Sequence, residues 1–285
     1  MRIGFSPLAM DEAPLKATAD ALQAAAKASG QFQVVVADPK TNVSTQVSQL
    51  EQWIQLRSVS AIWVIPISPA SIEPVIKQAQ AAKIPILIDA LPSEVGMTAG
   101  APGVSFSKIS FAVYGQALGQ LTGKCITQRL GGKAQIIFEK DSIGQVSGAA
   151  ADTALLGAVH TVSPQSAIVR TVAPNSQLQA EQDTLSALQG APTANAALAS
   201  NDESALGALS AFVQAGKSPK NVCIVGGGGG PQSLAAVKAG TLYGEVAFDY
   251  ATDTRQNIAE LEAMNANPTA PGKLLTVPVT VIGPK

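Results

Sequence analysis

The sequence predicts an α/β protein built from two doubly wound parallel-sheet domains, and three observations carry that prediction. Hydrophobic periodicity switches repeatedly between the strand period and the helix period along the chain. The apolar content is aliphatic: 46% of the 285 residues are hydrophobic, yet only seven Phe, three Tyr and two Trp contribute to it. Chains of that kind bury parallel strands beneath Ala-rich helices. The alternation also occurs twice, on either side of one irregular segment.

The first run has strands at Arg2–Ser6, Gln33–Ala37, Ala61–Pro66 and Ile84–Asp89. Helical patterns lie between them at Ala13–Ser29, Val43–Arg57 and Ser71–Ala82. Leu15, Ala19, Leu22 and Ala26 recur at spacings of three and four, which makes one apolar helix face. Ser29-Gly30 reads as a helix end, and Ser71 ahead of Glu73-Pro74 as a helix start. Residues 90–104 then break the rhythm with Pro92, Gly96, Gly100, Pro102 and Gly103, a composition suited to a domain crossing. Helix Ile109–Leu130 reopens the pattern, followed by strand Ala134–Phe138, helix Gln145–Val159 and strand Ala167–Val172. Helix Ser176–Gln189, strand Ala196–Ser200, helix Glu203–Ala215, strand Val222–Gly226 and helix Pro231–Ala239 come next. Strand Gly244–Phe248, helix Thr252–Ala266 and a last strand at Thr276–Ile282 complete the reading.

Charge excludes several classes. Lys+Arg 19 against Asp+Glu 20 gives a formal net charge of −1, without the basic excess of a nucleic-acid binder. No segment has the roughly 18–20 continuous apolar residues of a membrane-spanning helix. Met1-Arg2 runs directly into the first strand, as it does both in a cytosolic protein and in an exported one whose leader has been removed. Cys125 and Cys223 form no CxxC, and His160 is the one histidine, so zinc sites are excluded. Two readings of the cysteines stay open: small buried side chains, or one long-range disulfide that implies export.

Open α/β sheets bind ligands beyond the carboxyl ends of their strands. Those ends are Ser6, Pro66, Asp89, Glu139, Asn201, the run Gly226–Gly230 and Phe248-Asp249. The glycine run fits neither GxGxxG nor a P-loop, and reads as a tight turn. No GxSxG elbow occurs, and His160 belongs to a loop away from the strand ends. The acid pairs Asp11-Glu12, Asp202-Glu203 and Asp249/Asp253 read first as helix starts, where carboxylates favour the dipole. Trp53 reads as helix core, and Trp63, inside its strand, as buried beneath a helix. No catalytic set and no cofactor or metal motif survives.

The string Ala199-Ser-Asn-Asp-Glu-Ser-Ala-Leu-Gly-Ala208, then Ala215-Gly-Lys217, Cys223-Ile-Val-Gly226 and Ser233-Leu-Ala-Ala-Val-Lys-Ala-Gly-Thr-Leu242, is distinctive. It closely resembles the second domain of type I periplasmic binding proteins of the ribose/galactose kind, the solute receptors of ABC importers. Val64-Ile-Pro66 with Ile72–Val75, and Lys83-Ile-Pro-Ile-Leu-Ile-Asp89, resemble the first domain of the same family. The resemblance implies two lobes, 1–105 plus 250–274 and 106–249 plus 275–285, with a ligand cleft between them closed by hinge motion. Crossings are expected near 104–108, 248–251 and 273–277, the last strand joining the second lobe. It also implies that Ser6, Asp89 and Asn201 hydrogen-bond ligand hydroxyls.

Departures from the family pattern matter equally. Asp11-Glu12 stands where an aromatic pair is frequent, Ile65 replaces asparagine before Pro66, and Ala90 replaces arginine after Asp89. Ala149, flanked by Gly148 and Ala150, stands where a sugar-binding arginine is expected. Gly227-Gly228 replaces phenylalanine-aspartate, and Phe248 replaces glutamine. These changes point away from ribose. Either another sugar or linear polyol is held by Asp11, Glu12 or Asp249, or a smaller, less polar solute is held between Phe106 and Phe248. The expectation is a monomeric, non-enzymatic receptor, periplasmic or anchored outside the cell as a lipoprotein. It would deliver a small neutral sugar or polyol to the membrane permease subunits of an ABC importer, with no cofactor and no nucleic acid. Two alternatives remain: the effector domain of a lac-repressor-type regulator, whose upstream DNA-binding module this chain lacks, and an α/β enzyme.

Overall fold

The computed structural model describes residues 1–11, 13–140 and 146–284, so Glu12 and the expected helix start at Gln145 lie outside the described residues. In chain order the first run is β1 (Arg2–Ser6), α1 (Ala13–Ser29), β2 (Gln33–Val36), α2 (Val43–Gln55), β3 (Ala61–Val64), α3 (Glu73–Ala82), β4 (Ile86–Asp89) and β5 (Val104–Lys108). The second begins with α4 (Phe111–Leu130), β6 (Gln135–Glu139), α5 (Val146–Val162), β7 (Ala167–Val172), α6 (Gln177–Gly190) and β8 (Ala196–Ala199). It continues with α7 (Asp202–Gln214), β9 (Cys223–Gly228), α8 (Pro231–Lys238) and β10 (Gly244–Phe248). The chain ends with α9 (Tyr250–Ala266), β11 (Leu274–Thr276) and β12 (Val279–Ile282).

These elements form two compact units, Met1–Ile109 with Asp249–Pro278, and Ser110–Phe248 with Val279–Lys285. In the first, the strand order is β11-β5-β4-β3-β1-β2 and every pairing is parallel. Strand side chains alternate between two cores. Ile62, Val64, Ile86, Ile88 and Phe106 pack with Leu50 and Trp53 of α2 and with Val75, Ile76 and Ala79 of α3. Ile3, Phe5, Trp63 and Leu87 pack with Leu22 of α1 and Ile258, Leu261 and Met264 of α9. The sheet is thus buried on both faces, which is why β3 reads as an unbroken apolar run.

The second unit repeats the scheme in the order β12-β10-β9-β8-β6-β7, with β12 alone antiparallel to its neighbour β10. Ile136, Phe138, Leu198 and Val225 pack with Leu118 of α4 and Leu155 of α5. Ile137, Ala197, Ala199 and Ile224 pack with Leu188 of α6 and with Ala205, Ala208 and Phe212 of α7. Helices α4 and α5 come close enough that side chains are excluded between them. A Cβ on Gly115 would lie 2.1 Å from the Ala151 carbonyl oxygen, and one on Gly119 would lie 2.3 Å from that of Leu155.

Three expectations need correction. Residues 104–108, read as a crossing, form strand β5. Their pattern is half polar because Ser105 and Ser107 face α9, where Ser105 Oγ donates to Glu260 Oε1 at 2.7 Å. Phe106, expected to wall a ligand, is instead fully buried in the core beneath α2 and α3, because it alternates with those serines. Lastly, the strand expected at Thr276–Ile282 is two strands: β11 pairs with β5 in one sheet and β12 with β10 in the other. Pro278, which has no N–H to give a ladder, lies between them. The divisions between the units fall after Ile109, Phe248 and Pro278, where the sequence suggested 105, 249 and 274.

Cys125 of α4 and Cys223 at the start of β9 are joined as a disulfide, with Cα atoms 5.8 Å apart and a sequence separation of 98. A loop of that length, once released, makes the unfolded chain freer by about 2–5 kcal/mol. We expect reduction, or Cys125→Ser, to lower the urea-unfolding stability of the chain by that amount. Identical unfolding curves with and without reductant would refute the bond.

Candidate functional site

Covered faces leave the carboxyl ends of the strands as the place where polar groups can meet a ligand. In the first unit, Ser6 ends β1 and is fully buried. Its Oγ accepts from Gln46 Nε2 at 3.2 Å, which leaves the Ser6 hydroxyl hydrogen to be donated elsewhere. Gln46 also donates to the Pro7 and Ile65 carbonyls and accepts from the Ile67 N–H, so α2 fixes the segments that follow β1 and β3.

Asp89 ends β4, partly buried, and its Oδ1 accepts from Trp63 Nε1 at 3.1 Å. Trp63 is therefore buried as expected, and in addition it is a hydrogen-bond donor to the site. Burial and the neighbouring Asp253 charge push the Asp89 carboxyl well above the usual carboxylate range, against the opposing pull of the Trp63 bond. Asp253, on the first turn of α9, is itself raised by burial. It accepts from Ser107 Oγ at 3.4 Å, Gln256 Nε2 at 2.9 Å and Asn257 Nδ2 at 3.0 Å.

The other acids of this unit contribute differently. Asp249 is the N-cap of α9: Oδ1 accepts from the Thr252 N–H at 2.9 Å and Oδ2 from the Thr252 hydroxyl at 2.8 Å. A helix start supplies donors to a carboxylate placed there, so Asp249 serves as a cap whatever else it meets. Asp11 is exposed on the segment after β1.

In the second unit, Asn201 follows β8 and caps α7, its Oδ1 accepting from the Ser204 N–H at 2.9 Å. Its side-chain NH₂ is the group that it could offer a ligand. Phe248, at the end of β10, stacks on Tyr114 of α4 with ring centroids 4.7 Å apart and meets Phe111 edge-on at 6.3 Å. Tyr114 passes over Gly227 and donates to the Ser200 carbonyl at 3.0 Å. A Cβ on Gly227 would lie 2.0 Å from the Tyr114 hydroxyl, so this glycine is what admits the ring. The aromatic side chain absent from the β9 end is thus supplied by α4. Sequence reading missed Tyr114 because nothing in a helical pattern reveals which strand end it covers.

The glycine run closes on two carboxylates of its own chain. The Gly230 N–H donates to Asp202 Oδ2 at 2.6 Å, the Gly229 N–H donates to Glu245, and Ser233 Oγ donates to Glu245 Oε2 at 2.8 Å. Burial pushes Glu245 up to about 7, opposed by the Ser233 bond and reinforced by Asp202. Glu139, at the end of β6, is fully buried, with Oε1 accepting from Thr184 and Oε2 lacking any partner among the described residues. Burial raises it to about 8, with the Thr184 bond opposing and Asp183 adding to the rise. Among the described residues no group of three or more metal-ligating side chains occurs, and no helix is long and apolar enough to cross a membrane. The arrangement can hydrogen-bond and stack; no nucleophile with an adjacent base appears in it.

Two outcomes follow from this geometry. Gly227→Ala should cost about 1–3 kcal/mol in urea unfolding, through overpacking against Tyr114. Glu139 and Glu245 bind protons more tightly folded than unfolded, so their contribution is complete below the unfolded value and is lost as pH rises. Stability should fall by about 1.4 kcal/mol per pH unit per group as pH climbs from the ordinary glutamate value towards each folded one. Glu139→Gln should flatten that slope between pH 5 and about 8; an unchanged profile would contradict the burial effect.

Comparison with known proteins agrees with this chemistry. Residues 3–262 match the family model described as a periplasmic binding protein domain. The ribose import binding protein RbsB of Bacillus subtilis (strain 168) is 26% identical over 253 residues, covering 86% of this chain and 77% of that protein. A periplasmic ribose ABC transporter protein from Conexibacter woesei DSM 14684 superposes with a TM-score of 0.78 at 19% identity, over 99% of this chain and 91% of that one. An ABC transporter periplasmic solute-binding protein from Actinobacillus succinogenes 130z, solved with bound D-allose, gives a TM-score of 0.71 at 21% identity, over 99% and 97%. Both structures share the two parallel-sheet α/β domains found here. The chain belongs to the periplasmic binding protein family.

Proposed function

We propose that the chain is an extracytoplasmic receptor that captures a small neutral carbohydrate or polyol other than ribose and delivers it to the permease subunits of an ABC importer. The observation that carries the reading is Asp89: a carboxyl that ends its strand, partly open to solvent and oriented by the Trp63 indole. Ser6 and the Asn201 amide supply further hydroxyl-directed hydrogen bonding, and the Phe248 ring adds an apolar face. The changes at Ile65, Ala90, Ala149, Gly227 and Phe248 favour a ligand other than ribose, because a polar site discriminates steeply against hydroxyls that it leaves unpaired.

The disulfide supports export, since such bonds persist in oxidising compartments, and it weighs against a cytosolic regulator. The receptor acts as a monomer, either free in the periplasm or anchored as a lipoprotein. The reading of a less polar solute is weakened by the burial of Phe106, one of its two supposed walls.

Thermal-shift and calorimetric screening of pentoses, hexoses and four- to six-carbon polyols should yield at least one ligand, with ribose the weaker. Asp89→Ala should weaken that ligand about 10–100-fold, as loss of a hydrogen bond to an ionisable group does. A panel without any binder, or an unchanged affinity in the variant, would overturn the reading.

A further inference from the structure

Asp89 and Ser107 are register partners on β4 and β5, and the Ser107 hydroxyl donates to Asp253 Oδ1 at 3.4 Å. Two carboxyls therefore approach one serine on the face of the sheet that α9 covers, beside the wholly buried Phe5, Trp63 and Leu87. Their hydrogen-bond donors are unequally divided. Asp253 receives three, from Ser107, Gln256 and Asn257, while the bond from Trp63 supports Asp89. Donors favour the ionised form of the group they face, and two neighbouring carboxyls cannot both ionise cheaply away from water. The negative charge accordingly belongs to Asp253.

We propose that the Asp253 charge keeps Asp89 protonated, so that Asp89 meets its ligand as a neutral carboxylic acid with Asp253 as the positioning residue that imposes this state. Burial and the Asp253 charge both act on Asp89 in this direction. The remaining charged groups on the packed elements leave the assignment in place. Asp249, one turn earlier on α9, adds negative charge beside Asp253, and Tyr250 faces the same carboxylate. Arg255 donates to the Thr252 hydroxyl, Lys273 pairs with Glu260 further along α9, and Lys16 of α1 pairs with Asp20. Lys108 follows Ser107 on β5, and among the described residues no ion pair reaches Asp89 or Asp253.

The consequence for recognition rests on the carbohydrate reading above. A neutral acid donates one hydrogen bond and accepts another, which matches a pair of neighbouring hydroxyls and imposes no charge on the site. A carboxylate can only accept. Affinity for a neutral hydroxylated ligand therefore falls as pH rises through the loss of the Asp89 proton, and binding takes up a proton above that point.

The experiment needs no ligand, because Trp63 reports on Asp89 directly. In the ¹⁵N-labelled full chain the Trp63 indole N–H resonance, assigned with Trp53→Phe, is followed against pH. Its titration midpoint should lie well above the ordinary aspartate value of about 3.9. Asp253→Asn, which keeps the shape of the side chain and removes its charge, should lower the midpoint by about one pH unit or more. Asp89→Asn should abolish the step. A midpoint in the ordinary range, or one unmoved by Asp253→Asn, overturns the inference. Should Asp253→Asn fail to fold, infrared spectroscopy of the wild type decides: a protonated-carboxyl band about one pH unit above the ordinary aspartate value that is lost in Asp89→Asn supports the proposal, and its absence overturns it. A failed sugar screen would sink the carbohydrate reading while leaving these titrations intact. Tight sugar binding with an ordinary midpoint would sink the protonation of Asp89 alone.

Discussion

Covering a parallel sheet on both faces removes water from every strand interior, and the polar chemistry of this protein is arranged around that exclusion. A polar atom left in such a layer without a partner costs on the order of 1–3 kcal/mol, so most are given a partner or moved to a strand end, and Gln49 Oε1 and Asn257 Oδ1 are exceptions among the described residues. Gln46 saturates itself on the segments after β1 and β3. Ser105 is tied to Glu260, and Glu260 in turn to Lys273. Thr184 meets Glu139, and Ser233 meets Glu245. What remains at the carboxyl ends is the small set of groups that can serve a ligand, and it is small because the sheet interiors permit nothing else.

The two units satisfy the same constraint with different materials. In the first, α9 presents acids and amides to β4 and β5, which gives a site edge rich in hydrogen bonding. In the second, α4 sends Tyr114 across a glycine, and the end of β10 answers with Phe248. The glycine turn after β9 has the location of a phosphate cradle, yet its amides already donate to Asp202 and Glu245. An anion would have to displace two carboxylates held by the chain itself. Turn and acids together form a closed structural device, while Gly226, Gly227 and Gly228, read as part of a tight turn, belong to strand β9.

How far the sequence was legible depends on whether a feature is local. The Asn201-Asp202-Glu203 start of α7 is a cap written in three adjacent residues, and it folds as one. The alternation of strands and helices survives because each period is set within its own segment. β5 was unreadable because its serines are polar only to meet α9, whose partners lie some 150 residues away. The same distance hid Phe106, whose side became clear only once β5 was known to be a strand. The cysteine pairing was undecidable for an equivalent reason: sequence separation says nothing about the gap between Cα atoms. Asp249 illustrates the converse case, in which a cap signal is local and readable and the structure shows the cap.

The acid pairs show why exposure, more than charge, separates structural groups from recognition groups here. Glu245 is fully buried and spends its oxygens on the Gly229 amide and the Ser233 hydroxyl, while Asp202 closes the same turn. Asp253 is likewise buried and surrounded by three donors. Asp89 differs from Glu245 and Asp253 in combining partial exposure, one fixed donor and a charged neighbour. A carboxyl so placed is held in orientation by Trp63 and in protonation by Asp253, and its second oxygen is not needed to stabilise either. Partial exposure with a single fixed donor lets Asp89 take a further partner, which is what reversible capture of a solute requires.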